Sequence, residues 1–146
     1  MINVLLADDH GVLRDALCYL LEAQGDIKII ATAADGLDAL EQAKRVCPDV
    51  AVMDISMPRM DGIEAAKRIC GVCSGTRIVM LTIYHTVEHV QHALQAGASG
   101  FVLKDAAGQE LVTAVRALYG GGSYFSPSID GIDDLGLPGV NRIQDN

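Results

Sequence analysis

Val50-Ala51-Val52-Met53-Asp54-Ile55-Ser56-Met57-Pro58-Arg59-Met60-Asp61-Gly62 is the stretch on which the fold turns. Val50–Met53 is an unbroken apolar run too short for a helix, preceded by Cys47-Pro48 and followed by a Pro-containing loop and the turn Asp61-Gly62. Continuous apolarity in so short a run marks a strand covered on both faces, and a strand covered on both faces belongs to a parallel sheet between helical layers. A carboxylate, Asp54, closes the run where the chain leaves the core.

Working outward, the same unit repeats. Val4–Ala7, Ile27–Ala33, Ile78–Leu81 and Phe101–Leu103 are further apolar runs, and helical spacing fills about 11–24, 36–46, 62–72, 86–96 and 107–119. Leu13, Ala16, Leu17 and Leu20 recur at i, i+3, i+4 and i+7, as do Leu111, Ala114, Val115 and Leu118. Strands alternating with helices need right-handed crossovers. The expected fold is therefore α/β: a doubly wound, flavodoxin-like, five-stranded parallel sheet of order 2-1-3-4-5 with helices on both faces. From Gly120 the composition shifts to Gly, Ser, Pro and Asp. One domain over 1–122 and a poorly ordered linker or tail over 123–146 are expected.

Composition restricts the function. The 146 residues carry a formal charge of −8, which opposes binding to a phosphate backbone. Ile2–Ala7 is interrupted by Asp8-Asp9 before it could act as a signal peptide, and no run nears the roughly 20 apolar residues of a membrane span. Cys18, Cys47, Cys70 and Cys73 lie in apolar or helical settings, which suits a reducing compartment and a cytoplasmic location. Cys70 and Cys73 form a CxxC pair, but no second pair completes a tetrahedral metal site, and a redox pair belongs at a helix N-terminus rather than at its end. Packing or chance is the expected reading of Cys70 and Cys73.

Ligands of such sheets bind beyond the carboxyl ends of the strands, where strand order reverses. There the first strand delivers Asp8 and Asp9, the third Asp54, the fourth Thr82 and the fifth Lys104. Three converging carboxylates repel one another unless a cation is shared. Mg²⁺, with Mn²⁺ as its alternative, suits oxygen ligands and leaves positions for a phosphoryl oxygen. Lys104 and the Thr82 hydroxyl would meet the remaining phosphoryl oxygens. Phosphoryl transfer onto a carboxylate is the chemistry this set implies.

Leu6-Ala7-Asp8-Asp9-His10, Met53-Asp54 through Asp61-Gly62, Leu81-Thr82 and Gly100-Phe101-Val102-Leu103-Lys104-Asp105 together resemble the receiver domains of bacterial two-component response regulators. The resemblance extends over about residues 1–125. Asp9-His10, Leu103-Lys104-Asp105-Ala106 and Gly121 through Pro127 are most similar to the NarL/FixJ type. It implies phosphorelay signalling without enzyme turnover of a separate substrate. Asp54 would take a phosphoryl group from a sensor histidine kinase, and the only chemistry would be self-catalysed phosphorylation and dephosphorylation. Asp9, Asp54 and the Ser56 backbone carbonyl would ligate Mg²⁺, with Asp8 acting through water. Thr82 and Phe101 would form the switch, and Ser56 and Tyr84 would tune the phosphoryl lifetime. A homodimer on phosphorylation, no membrane partner, and transcription regulation through DNA contact made only by an output domain outside this chain are also implied.

Two features depart from the pattern. Asp105 stands where many receivers carry a cis proline; a cis bond before Asp would cost about 2.5–4 kcal/mol, so a trans bond is expected. No helix-turn-helix segment follows Pro127, and Ser128–Asn146 holds Arg142 as its one cation. Simpler readings exist for single residues: Asp8 and Asp9 as helix caps, His10 as a solvated residue, and Asp61-Gly62 as a turn and helix start. A haloacid-dehalogenase-type phosphatase would need a second Asp where Ser56 stands. A flavodoxin-like electron carrier would need a first loop without Asp8-Asp9.

Overall fold

A computed structural model of the chain describes residues 1–84 and 86–136. Its strands are β1 (Ile2–Ala7), β2 (Ile27–Ala33), β3 (Val50–Asp54), β4 (Arg77–Thr82), β5 (Gly100–Leu103) and β6 (Tyr124–Phe125). Five of them alternate with α1 (Gly11–Glu22), α2 (Gly36–Val46), α3 (Gly62–Val72), α4 (Val87–Gln95) and α5 (Ala107–Tyr119). The sheet order is β2-β1-β3-β4-β5-β6, with every pairing parallel. The doubly wound α/β fold read from the apolar runs is present, extended by one short strand.

Alternation along each strand divides the core in two. Leu5, Ala51, Met53, Ile78, Met80 and Phe101 face α2, α3 and α4, whereas Val4, Leu6, Val52, Val79, Leu81 and Val102 face α1 and α5. Because both faces are filled, β3 carries no polar side chain before Asp54, and β5 carries none before the chain reaches Lys104. Asp8 follows β1, Asp54 closes β3 and Thr82 closes β4, and all three are buried.

Helix starts explain further sequence features. Asp35 and Asp61 accept hydrogen bonds from the backbone N–H of Asp38 and Glu64, capping α2 and α3. α1 instead starts after His10, with no side-chain cap, so neither Asp8 nor Asp9 is a capping residue.

Two expectations are corrected. Cys47 and Cys73 form a disulfide with a Cα separation of 5.6 Å, so Cys73, expected only to pack, is bonded to Cys47. Spacing drew attention to Cys70 and Cys73, yet Cys73 is joined across the fold to the residue that ends α2. The tail also departs from the poorly ordered segment expected for it: Tyr124–Phe125 pairs with Gly100–Phe101, and Phe125, Ile129 and Ile132 are buried. Its Gly, Ser and Pro content masked these spaced apolar residues, which cover what would otherwise be an open sheet edge. Residues 137–146, part of the same expectation, lie outside the described residues.

The cover is polar as well as apolar. Ser126 donates its backbone N–H to the Phe101 carbonyl, its hydroxyl accepts from the Leu103 N–H, and that hydroxyl donates to Glu110. Burial, with the Glu110 carboxylate alongside, pushes the Tyr124 phenol up to about 12. Docking of the segment through Phe125 has an energetic signature. Phe125→Ala should lower the unfolding free energy by about 3 kcal/mol in urea denaturation, the usual cost of deleting a buried aromatic ring. A change below about 0.5 kcal/mol, the surface range, would show that β6 is not seated.

Candidate functional site

The loops after β1, β3, β4 and β5 meet at one mouth. Asp54 is anchored from two sides: Oδ1 accepts the Ser56 backbone N–H at 3.2 Å, and Oδ2 accepts from the Lys104 ammonium at 2.9 Å. Asp8 is 0% exposed, and its Oδ1 accepts the His10 backbone N–H at 2.8 Å. Asp8 Oδ2 lies 3.4 Å from Lys104 Nζ as an ion pair. It is nevertheless the one buried side-chain oxygen among the described residues that lacks a hydrogen bond. Arg14 donates to the Asp8 carbonyl at 2.8 Å and fixes the turn.

Burial raises the Asp54 carboxyl above its ordinary value; the Lys104 hydrogen bond opposes this, and the Asp8 charge adds to it. Burial works against the Lys104 ammonium too, but the Asp54 hydrogen bond and the charges of Asp54 and Asp8 outweigh it and hold Lys104 above its usual range. One cation therefore serves two buried carboxylates, and a buried oxygen is left over. An additional cation would relieve that imbalance. Ligand atoms from Asp8, Asp9, His10 and Asp54 lie within 4.8 Å of one another, a donor set that fits a divalent metal ion.

The segment following Asp54 is held from below. Gly62 donates its N–H to the Ile55 carbonyl at 2.7 Å, and a Cβ on Gly62 would lie 2.1 Å from the Asp54 carbonyl oxygen. A Cβ on Gly36 would lie 1.8 Å from the Met60 carbonyl oxygen, so α2 and this loop approach as only glycine permits. Arg59, at φ 67°, places its guanidinium on both oxygens of Asp35 at 2.9 and 3.2 Å. Ser56 thus sits in a loop pinned at several points.

Thr82 lines the same cleft as His10, Asp54, Ser56 and Lys104, a space of about 640 Å³. Its Oγ accepts the Tyr84 backbone N–H at 3.1 Å, leaving its own proton to donate. Tyr84 lies beside the mouth, in a neighbouring cleft shared with Ser56 and His89: its hydroxyl lies 3.4 Å from Ser56 Oγ, and its ring stacks on His89 with centroids 4.2 Å apart. Phe101 is absent from the mouth. It lies fully buried in the core shared with Val90, Ala93, Phe125, Ile129 and Ile132. After Lys104 the chain makes a 3-10 turn over Lys104–Ala106 into α5, and no cis peptide occurs among the described residues.

His10 is the member that sequence reasoning left outside. Its ring is 66% exposed, yet Nδ1 lies 3.1 Å from Asp8 Oδ1 and 3.3 Å from Asp9 Oδ1. The signal was adjacency to two carboxylates at the end of a central strand, set aside because a helix start already accounted for the residue.

Residues 4–116 match the family of response regulator receiver domains. The chain belongs to that family. It is 37% identical over 128 residues to the oxygen regulatory protein NreC of Staphylococcus carnosus, covering 87% of this chain and 59% of that one. It is 44% identical over 124 residues to the uncharacterized transcriptional regulatory protein YxjL of Bacillus subtilis, covering 85% and 57%. The signal receiver domain of NarL from Mycobacterium tuberculosis superposes with a TM-score of 0.79 at 36% identity, over 82% of this chain and 97% of that one. This receiver thus spans less than two thirds of the length of these curated relatives. Receiver domains of two-component systems are signalling domains served by sensor kinases, and not a family of catalytic enzymes. None of the described helices is long and apolar enough to cross a membrane.

Proposed function

We propose that this receiver accepts a phosphoryl group on Asp54 from a phosphohistidine of a sensor histidine kinase, in a Mg²⁺-dependent reaction, and that the product resets its outer surface. The observation that carries the reading is the buried Asp8 oxygen without a hydrogen bond, beside an acceptor carboxylate that already shares its only ammonium.

Asp9, Asp54 and the Ser56 carbonyl would hold the ion, with Asp8 acting through water; Mn²⁺ has the same oxygen preference. Bound there, it would supply positive charge to the oxygens of the transferring phosphoryl group. An Asp54 oxygen attacks phosphorus, the P–N bond breaks, and its electron pair returns to the donor imidazole. Lys104 then transfers its hydrogen bond from Asp54 to a phosphoryl oxygen, and the Thr82 hydroxyl donates to another. Val12, Leu13, Ala16 and Ile83 wall the cleft above Asp54, an apolar approach suited to a protein donor. A cytoplasmic location fits such a donor. Homodimerisation on phosphorylation, and transcription regulation through an output domain that binds DNA, would follow downstream.

Intact-mass measurement after acetyl phosphate and Mg²⁺ should show one added phosphoryl group on the wild type and none on Asp54→Asn. Asp9→Ala should also remain unlabelled, and Lys104→Ala should be labelled poorly and fail to switch. Full labelling of Asp54→Asn would discard the acceptor assignment.

Lifetime is set by access of water opposite the aspartyl oxygen. The Tyr84 ring, which reaches Ser56 and stacks on His89, would obstruct that approach. Tyr84→Ala should hasten loss of the phosphoryl group at least several-fold; an unchanged decay rate would remove the ring from the path.

The output proposal concerns Thr82 and Phe101. Phosphorylation adds about −1.5 to −2 charges at Asp54, drawing the Thr82 hydroxyl inward and loosening the packing beside α4, where Phe101 is buried. At rest the β6 cover favours the buried rotamer of Phe101. Beryllofluoride with Mg²⁺ should shift the Phe101 ring resonances in wild-type protein and much less in Thr82→Ala. An equal response in both would mean that the signal leaves by another route.

A further inference from the structure

The Cys47–Cys73 pair lies at the opposite end of the sheet from Asp54 and takes no part in the chemistry above. Cys47 follows α2 and Cys73 follows α3, and their Cα atoms are 5.6 Å apart. Cys47 is exposed, whereas Cys73 is only 4% exposed. Cys47 also adopts φ 37°, the left-handed conformation that helix ends reserve chiefly for glycine or asparagine, so its presence there is not explained by backbone preference.

The alignment of the two residues does not depend on the bond. Cys47 donates its backbone N–H to the Ala43 carbonyl at 2.7 Å, and Cys73 donates to Ile69 at 2.8 Å. The Thr76 hydroxyl donates to the Pro48 carbonyl at 2.6 Å, and the Thr76 N–H donates to the Cys73 carbonyl at 3.1 Å, tying the two helix ends together. For a reduced Cys73 the Ala43 carbonyl oxygen lies 3.2 Å from Sγ, ready to accept its thiol proton. Both redox states are therefore accommodated by the same backbone. Cys70 is directed elsewhere, with Sγ 3.8 Å from the Gly97 carbonyl.

We propose that Cys47 and Cys73 form a reversible oxidation site, closed by exchange with small-molecule disulfides, that clamps the segment carrying β3, Asp54 and α3. The Cys47 thiolate attacks a sulfur of the small disulfide and releases one thiolate. Cys73 loses its proton and attacks Cys47 Sγ in the mixed disulfide, releasing the second thiolate. Two protein thiols are oxidised, one disulfide is reduced to two thiols, and the two protons pass to the leaving thiolates. The exposed cysteine is the point of entry because the buried one is shielded, and fixed proximity makes the second step intramolecular.

The closed loop spans a sequence separation of 26 residues and contains the acceptor strand, yet its bond is remote from Asp54. Oxidation should stabilise the fold by restricting the unfolded chain. The experiment is to equilibrate the chain in mixtures of reduced and oxidised glutathione, alkylate free thiols, map peptides by mass and record thermal unfolding in parallel. The expected result is a Cys47–Cys73 linked peptide reversed by dithiothreitol, with Cys18 and Cys70 alkylated throughout. Tm should rise by about 10 °C in the oxidised form. Cys70→Ala should keep the link and the shift, whereas Cys47→Ser and Cys73→Ser should each lose both. A Cys70–Cys73 peptide, glutathione retained on Cys47 without closure, or a link that leaves Tm unchanged would overturn the proposal; all three readouts come from the wild-type chain.

Discussion

Lys104 has to satisfy two carboxylates that the sheet has taken out of water. It lies 2.9 Å from an Asp54 oxygen and 3.4 Å from an Asp8 oxygen. With both carboxylates ionised, this neighbourhood is short of positive charge, and low dielectric makes that shortage costly. Full satisfaction could have been reached with a second lysine or with one carboxylate fewer. The site instead retains an imbalance that, in the proposed reaction, a divalent cation would relieve while also offsetting the charge that a phosphoryl group adds. The Asp54 carboxyl, raised by burial, records the cost of that arrangement in the resting fold.

Much of the remaining structure keeps this imbalance from relaxing. If the loop after β3 could move, Asp54 would turn to water and the strain would dissipate. Arg59 on Asp35, the contact of Gly36 with Met60, and that of Gly62 with the Asp54 carbonyl each remove one way for it to move. Asp35 serves twice, capping α2 while holding Arg59, so the helix layer and the site loop share one carboxylate. The dense apolar filling on both faces then denies the strands any lateral adjustment. Rigidity around the mouth is a property of the two-layered core as much as of the polar residues.

Periodicity made the five βα units and the convergence of Asp8, Asp9, Asp54, Thr82 and Lys104 legible, because strand burial and strand ends are local signals. What escaped depended on distant partners. Nothing in the spacing of Cys47 and Cys73 announces that α2 and α3 end side by side. Phe125, Ile129 and Ile132 are too widely spaced among Gly, Ser and Pro to form a periodic pattern, and their burial follows from an unfilled edge at β5. His10 was read through its helix position, although the turn of Asp8 directs its ring back toward the carboxylates. Sequence conveyed the placement of residues at strand ends well, and contacts formed by unrelated segments poorly.

The tail gives the outer face a different character from the mouth. Phe101 pairs in register with Phe125, and the Ser126 N–H closes on the Phe101 carbonyl, so the ring is covered by backbone as well as by side chains. A second tie lies further along, where Thr86 at the start of α4 bridges to Asp130. Thr82, Tyr84 and Thr86 thus lie close together in one short segment of sequence, the first lining the cleft with Asp54 and the last touching the tail. A displacement of that segment reaches the cover from one side while any outward turn of Phe101 strains it from the other. Since packed interfaces hold discrete arrangements, the two effects favour the same release. In the switch proposed above, the energy separating the two states of the outer face would therefore include undocking of β6, and the tail would set the threshold that phosphorylation must exceed.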